Sequence, residues 1–199
     1  MCFTGRAKEW DNDKRIKRSK VIADKINDII GKRENFSVME YGCATGLIGF
    51  NLCSNFKKIT LMDSEDEMIN IVKEKVKTYK ISNIFPIKID LTKEIYTQEK
   101  FDVIYTSLTL HHIVDVKSII EKLYNLLNKN GILCIIELDK DDGSFHMNSK
   151  GFNGHNGFEH QYIETILKNT GFSNIKSKTF FHDTKNNSPY SLFYTVGNK

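Results

Sequence analysis

The feature that most constrains this chain is a regular alternation. Short apolar runs of strand type recur between longer segments whose apolar residues keep helical spacing. Such an alternation builds βαβ units, and hence a mostly parallel sheet with helices on both faces. The strand-like runs are residues 36–40, 59–63, 84–90, 101–107, 132–138, 175–181 and 191–196. The run 132–138 is almost unbroken in apolar character, as expected of a strand covered on both faces. Helical segments are expected at 13–30, 47–55, from 64 onward, 116–128 and 161–169.

Local signals support these boundaries. In 13–30, Ile16, Ala23, Ile26 and Ile30 share one face; Asn12 or Asp13 can cap the start and Gly31 the end. The basic residues Lys14, Arg15, Lys17, Arg18 and Lys20 lie largely off that face and read as a solvated surface. Ser64 and Glu67 have the spacing of a capping box ahead of Met68, Ile71, Val72 and Val76. Pro189 suits an edge or a strand start. With 199 residues, no internal repeat and no Pro/Gly-rich linker, one domain is expected. Residues 1–31 would form a helical lid on an α/β core, 36–199.

Composition excludes some classes. A net charge of +4 falls short of the basic footprint of a dedicated nucleic-acid binder. No signal-peptide pattern opens the chain, and no apolar stretch has the length of a membrane span. Cys2, Cys43, Cys53 and Cys134 contain no Cys-x-x-Cys pair, so reduced thiols and a cytoplasmic location are expected.

A sheet of this kind binds ligands beyond the carboxyl ends of its strands. The positions to inspect therefore follow Glu40, Asp63, Asp90, Ser107 and Leu138. Three of the five are carboxylates. The first precedes Gly42-Cys-Ala-Thr-Gly46, whose glycines permit close approach of a ligand and whose following helix offers free amides. Asp63 lies 21 residues beyond Gly42, near the separation at which an acidic residue meets ribose hydroxyls. A nucleoside ligand follows. Gly42, Ala44, Gly46 and Gly49 fit the dinucleotide glycine fingerprint poorly.

Residues 38–47, Val-Met-Glu-Tyr-Gly-Cys-Ala-Thr-Gly-Leu, resemble the first motif of the class I S-adenosylmethionine-dependent methyltransferases. The resemblance continues in order through Leu61-Met-Asp63 with Met68, Ile89-Asp-Leu91, residues 101–113 with their His-His pair, and the turn Asn128-Lys-Asn-Gly131. The segment 101–113 is similar to the small-molecule and quinone-methylating branch. The resemblance implies a doubly wound, mostly parallel seven-stranded sheet with the last strand antiparallel, and S-adenosyl-L-methionine as cofactor. It further implies that Glu40 orients the methionine amine, and that Gly42, Cys43, Ala44 and Gly46 line the methionine and ribose. Asp63, with Ser64 beside it, would take the ribose hydroxyls, and Met68 would pack nearby. Asp90 and the Leu91 amide would meet the adenine, and the Thr106 carbonyl the methionine amine. Trp10 would cover the cofactor or anchor the first helix. Ala44 departs from the family, which often has a glycine there.

Methyl transfer from a sulfonium is an in-line displacement that needs a base only if the acceptor must lose a proton. Candidates are His111 and His112 after the fourth strand, and His146 and His155 in the polar loop after the fifth, expected in the substrate pocket together with the first helix. No metal is expected, because these spacings match no zinc motif. No Asn/Asp-Pro-Pro-Tyr follows the fourth strand, which favours a small-molecule acceptor; a monomer or homodimer is expected. The alternatives are a non-methylating S-adenosylmethionine-binding protein, an RNA methyltransferase using the basic helix, and a nicotinamide oxidoreductase.

Overall fold

In a computed structural model the chain is described at residues 9–148, 151–185 and 187–199. Cys2 and part of the expected lid lie outside these residues. The elements run α1 (Asp13–Ile30), β1 (Arg33–Tyr41), α2 (Leu47–Leu52), β2 (Phe56–Asp63), α3 (Asp66–Thr78), β3 (Ile84–Lys88), β4 (Phe101–Ser107), α4 (Val116–Leu126), β5 (Leu127–Leu138), α5 (His160–Thr170), β6 (Ser173–Lys185) and β7 (Ser188–Asn198). Short 3₁₀ turns occupy Leu110–His112 and Ser144–His146.

The strands form one seven-stranded sheet in the order β3-β2-β1-β4-β5-β7-β6. All pairings are parallel except the two made by β7. Val38 in β1 pairs with Ile59 of β2 on one side and Val103 of β4 on the other. The winding therefore reverses between β1 and β4, which opens a crevice at their carboxyl ends.

Alternate residues of the strands face opposite layers, as the two-residue period of a strand requires. Val38, Ile59, Leu61, Val103 and Ile136 join Ile22 and Ile26 of α1 and Ile69 and Val72 of α3. Met39, Met62, Ile104 and Ile135 join Ile119, Ile120 and Leu123 of α4 and Ile163 and Leu167 of α5. Among the described residues, no helix is long and apolar enough to cross a membrane.

Asn12 caps α1 through a hydrogen bond from the Arg15 amide at 3.0 Å, and Gly31 ends it at φ +74°. The expected capping box of α3 does not form. The Asp63 carboxylate takes the Glu65 amide at 3.0 Å, and the helix starts only after Glu65. One side chain from the preceding strand has replaced Ser64 in satisfying the amides of that turn. The last two strands run well beyond their apolar runs, because each supplies the ladder that the other's polar ends need. Pro189 falls at the second residue of β7, a strand start rather than a sheet edge.

Candidate functional site

A cavity of about 420 Å³ lies at the crevice between β1 and β4. Its floor is the loop after β1, from Glu40 to Thr45. The end of β2 contributes Asp63, Ser64 and Glu65, and α3 contributes Met68. Asp90, Thr92 and Lys93 follow β3, and Ser107, Leu108, Thr109, His112 and Ile113 follow β4. Among the described residues, the rest of the wall includes Trp10 with Arg15, Arg18, Ser19 and Ile22 of α1, with Leu47 and Ile48.

The floor is held by hydrogen bonds. Asp63 accepts the Ala44 amide at 2.7 Å on one carboxylate oxygen and the Glu65 amide on the other. Burial raises the pKa of this carboxyl despite the bonds from Glu65, Ala44 and Ser64. Gly42 (φ +76°) and Ala44 (φ +47°) both take the left-handed conformation. For Gly42 there is a second constraint, since a Cβ there would stand 2.2 Å from Thr109 Oγ1. Leu108, opposite, is also left-handed at φ +53°. Non-glycine residues in that region carry strain and tend to sit at functional sites.

Glu40 is only 2% exposed yet reaches the cavity wall. It accepts from Tyr105 Oη at 3.1 Å and from the Gly49 amide. Desolvation pushes its carboxyl up to about 8, against the opposing pull of those bonds. It is thus a buried, largely protonated acid that a neighbouring cation would ionise. Asp90 behaves differently. Burial raises it, but hydrogen bonds from Thr92 and Lys93 outweigh burial and hold the carboxyl below its usual value.

The segment before α1 is fastened to this floor. Asp11 Oδ2 lies 2.6 Å from Lys75 Nζ, Lys75 donates to the Thr45 carbonyl at 2.8 Å, and Thr45 Oγ1 donates to Asp11 Oδ1. This clasp joins the loop after β1, α3 and the residue next to Trp10.

Several expected positions lie off the cavity lining. Gly46 is not in the wall; at φ +80° it is the N-cap of α2 behind it. The Leu91 side chain is 1% exposed and packs inward, so the part expected of Leu91 rests on its backbone amide alone. The Thr106 side chain is fully buried and donates its hydroxyl to the Tyr41 carbonyl at 2.9 Å, so only its backbone is left for the part expected of it, and the next three residues line the cavity. Of the four candidate histidines, only His112 lines the wall. Burial pushes its pKa down to about 3, assisted by the neighbouring His111 and His146. It is neutral at physiological pH but a feeble base.

The described residues of the loop after β5 do not form the expected pocket wall, because they turn back onto the residues after β4. His155 donates its amide to the His111 carbonyl at 2.8 Å, and its Nε2 lies 3.0 Å from the Ile113 carbonyl. His146 stacks on Phe152 with ring centroids 3.8 Å apart. Together with His111 it stands behind His112, outside the cavity.

Sequence reasoning placed the first helix at the pocket but did not single out Arg15, Arg18, Ser19 and Ile22 as its wall. Their spacing is i, i+3, i+4, i+7, one helical stripe. That spacing was the available signal. The basic run looks like a solvated face only if its members are taken together. It also missed the convergence of His111, His112 and His146, which belong to two distant segments.

A family model described as a methyltransferase domain matches residues 32–195. An uncharacterized methyltransferase of Schizosaccharomyces pombe is 28% identical over 183 residues, covering 84% of this chain and 64% of its own length. A malonyl-[acyl-carrier protein] O-methyltransferase of Ilyobacter polytropus is 27% identical over 132 residues, covering 65% of this chain and 47% of its own. The chain thus spans only part of the length of these relatives. Among solved structures, the N-methyltransferase NodS of Bradyrhizobium japonicum, in complex with S-adenosyl-L-homocysteine, superimposes with a TM-score of 0.71 at 17% identity over 96% of this chain and 89% of that one. At that identity the likeness is one of fold.

Proposed function

The chain belongs to the methyltransferase domain family, and from that premise we propose that it is an S-adenosylmethionine-dependent methyltransferase whose acceptor is a small molecule bearing an anionic group. The observation that carries the reading is a cavity with two differently charged walls. The acidic side chains Glu40, Asp63 and Asp90, of which Asp90 is held ionised, stand on one side, and Arg15 and Arg18 of α1 on the other.

The residues present fit the cofactor. Glu40 is a buried acid held protonated by desolvation, and an ammonium beside it would restore its charge. Gly42 lets the backbone approach where any Cβ would clash. Asp63 uses its carboxylate to shape the loop and keeps acceptor lone pairs for ribose hydroxyls. Asp90 stays ionised at the end of β3, where an adenine amine would be met. Met68 supplies an apolar contact, and Cys43, Ala44 and Ser64 complete the lining. When bound, S-adenosylmethionine supplies a methyl group on a sulfonium.

The chain's own residues then have a positioning task. Arg18 and Arg15 hold the acceptor's anion and so aim its nucleophilic atom. His112 borders the acceptor, and the two arginines orient it. Trp10 and α1 act as a lid fastened by the Asp11 clasp. The whole forms a single domain, monomeric or homodimeric, working in the cytoplasm on small molecules rather than nucleic acid.

Calorimetric titration with S-adenosylmethionine and S-adenosylhomocysteine tests the cofactor. Absence of binding to well-folded protein overturns the reading. An acceptor screen scored by S-adenosylhomocysteine release tests the rest. Carboxylated or phosphorylated acceptors should turn over, and Arg18→Ala should raise KM about 10-fold with a smaller effect on kcat, as loss of a charge-assisted contact would.

A further inference from the structure

We propose that His111, His112 and His146 form a three-imidazole site for a divalent transition-metal ion of the zinc type, set against the inner wall of the cavity. The two short turns Leu110–His112 and Ser144–His146 bring the three rings together. Each ring offers a nitrogen, and these atoms all lie within 4.8 Å of one another. Ring centroids are 4.1 Å apart for His111 and His112, 4.9 Å for His111 and His146, and 5.6 Å for His112 and His146.

Two observations separate this cluster from an ordinary packed group of histidines. First, His111 Nδ1 is 2.7 Å from Glu137 Oε2, and Glu137 is fully buried. A carboxylate behind an imidazole fixes its tautomer and leaves Nε2 as the ligand atom, the usual support of a metal-binding histidine. Second, His146 is 8% exposed, and its Nδ1 is buried with no hydrogen-bond partner among the described residues. A buried polar nitrogen without a partner is costly, and an ion would satisfy it. Packing alone gives no reason to keep a nitrogen there.

The ligand set points to the metal class. Imidazoles suit zinc and its first-row neighbours, whereas magnesium and calcium want oxygen. Zinc–nitrogen bonds are about 2.0–2.1 Å, so the rings need draw together only by rotamer-scale shifts. Glu137 also accepts the Leu110 amide at 2.7 Å and the Leu138 amide at 3.1 Å, which hold its carboxyl in place behind His111. Lys185, whose Nζ lies 3.6 Å from the Phe145 ring centroid, is a neighbouring cation that opposes the ion. Against the expectation from spacing, the ligands are two adjacent residues and a third from another loop, a pattern that no sequence motif announces. Because His112 also lines the cavity, the ion would stand beside bound acceptor.

The test uses the full chain stripped with a chelator and titrated with zinc against a chromophoric competitor, without S-adenosylmethionine. Its outcome is therefore independent of the cofactor reading. One equivalent should bind tightly. His146→Gln and His112→Gln should each weaken binding by about 100-fold, and Glu137→Gln by about 10-fold. Exposed His182→Gln should leave binding unchanged. Cobalt(II) in place of zinc should give tetrahedral d–d bands without thiolate charge transfer. Near-ultraviolet circular dichroism confirms that each variant is folded. Absence of stoichiometric zinc in the wild type, full affinity in folded His146→Gln, or a thiolate band would overturn the proposal.

Discussion

Asp63 accepts the amide of Ala44 at 2.7 Å, so the end of β2 and the loop after β1 form a single unit of the cavity floor. Removing that carboxylate should release the loop and abolish ribose recognition together. Asp63→Ala is expected to weaken S-adenosylmethionine binding by about 100-fold, since buried charge-assisted bonds are worth roughly 1.5–3 kcal/mol each. Asp63→Asn, which keeps one acceptor oxygen, should lose less. Calorimetry on the three proteins decides it.

Two substitutions in the same loop should act in opposite directions. Gly42→Ala adds a Cβ into Thr109 and strains a left-handed residue, so it should cost about 2–4 kcal/mol in urea unfolding. Ala44→Gly relieves a residue already at φ +47° and should be neutral or stabilising by up to about 1 kcal/mol.

Glu40 makes stability fall with pH. Its carboxyl is raised from 4.5 to about 8 in the folded protein, so between these values the folded state binds the extra proton. The contribution of Glu40 is fully present below about pH 4.5 and is lost as pH rises through about 8. Glu40→Gln should flatten the stability–pH curve over that window and be the more stable protein at pH 8. Urea titrations at intervals across the window check the slope. Cofactor binding near pH 7 should also release protons from the wild type and not from Glu40→Gln, read from the buffer dependence of the binding enthalpy.

The clasp is accessible through the single tryptophan. Trp10 lines the cavity beside Asp11, so its fluorescence should change on cofactor binding. Asp11→Ala removes an ion pair with Lys75 and a hydrogen bond from Thr45. It should speed cofactor dissociation about 3- to 10-fold, measured by stopped-flow, in keeping with about 1 kcal/mol for a partly buried polar contact.

Most of the sheet was legible because apolar period and strand-end chemistry agree. Glu40, Asp63 and Asp90 each end or follow a parallel strand, where a carboxylate can hold the next turn and still face a ligand. The histidines were not legible in the same way. His146 and His155 are polar residues in a polar loop, and nothing local says that the loop folds back on His111 instead of facing the ligand. That direction is set by packing: Gly154 approaches the His111 carbonyl where a Cβ would stand 2.0 Å away. The polar stripe of α1 was misjudged for a related reason. A charged face is equally at home against water and against a wet cavity, and only the tertiary placement of the helix separates the two.

The pairing of β6 with β7 has a consequence for how the chain reaches this fold. Lys185 pairs with Ser188 and Ser173 with Asn198, so the two strands are a hairpin closed by local contacts. Every parallel pairing, by contrast, spans a helical or long crossover. Loop closure for the hairpin is entropically mild, while the parallel ladders must close long segments first. The hairpin is therefore the cheapest part of the sheet to close, and β7 is the strand through which it joins the parallel part at β5.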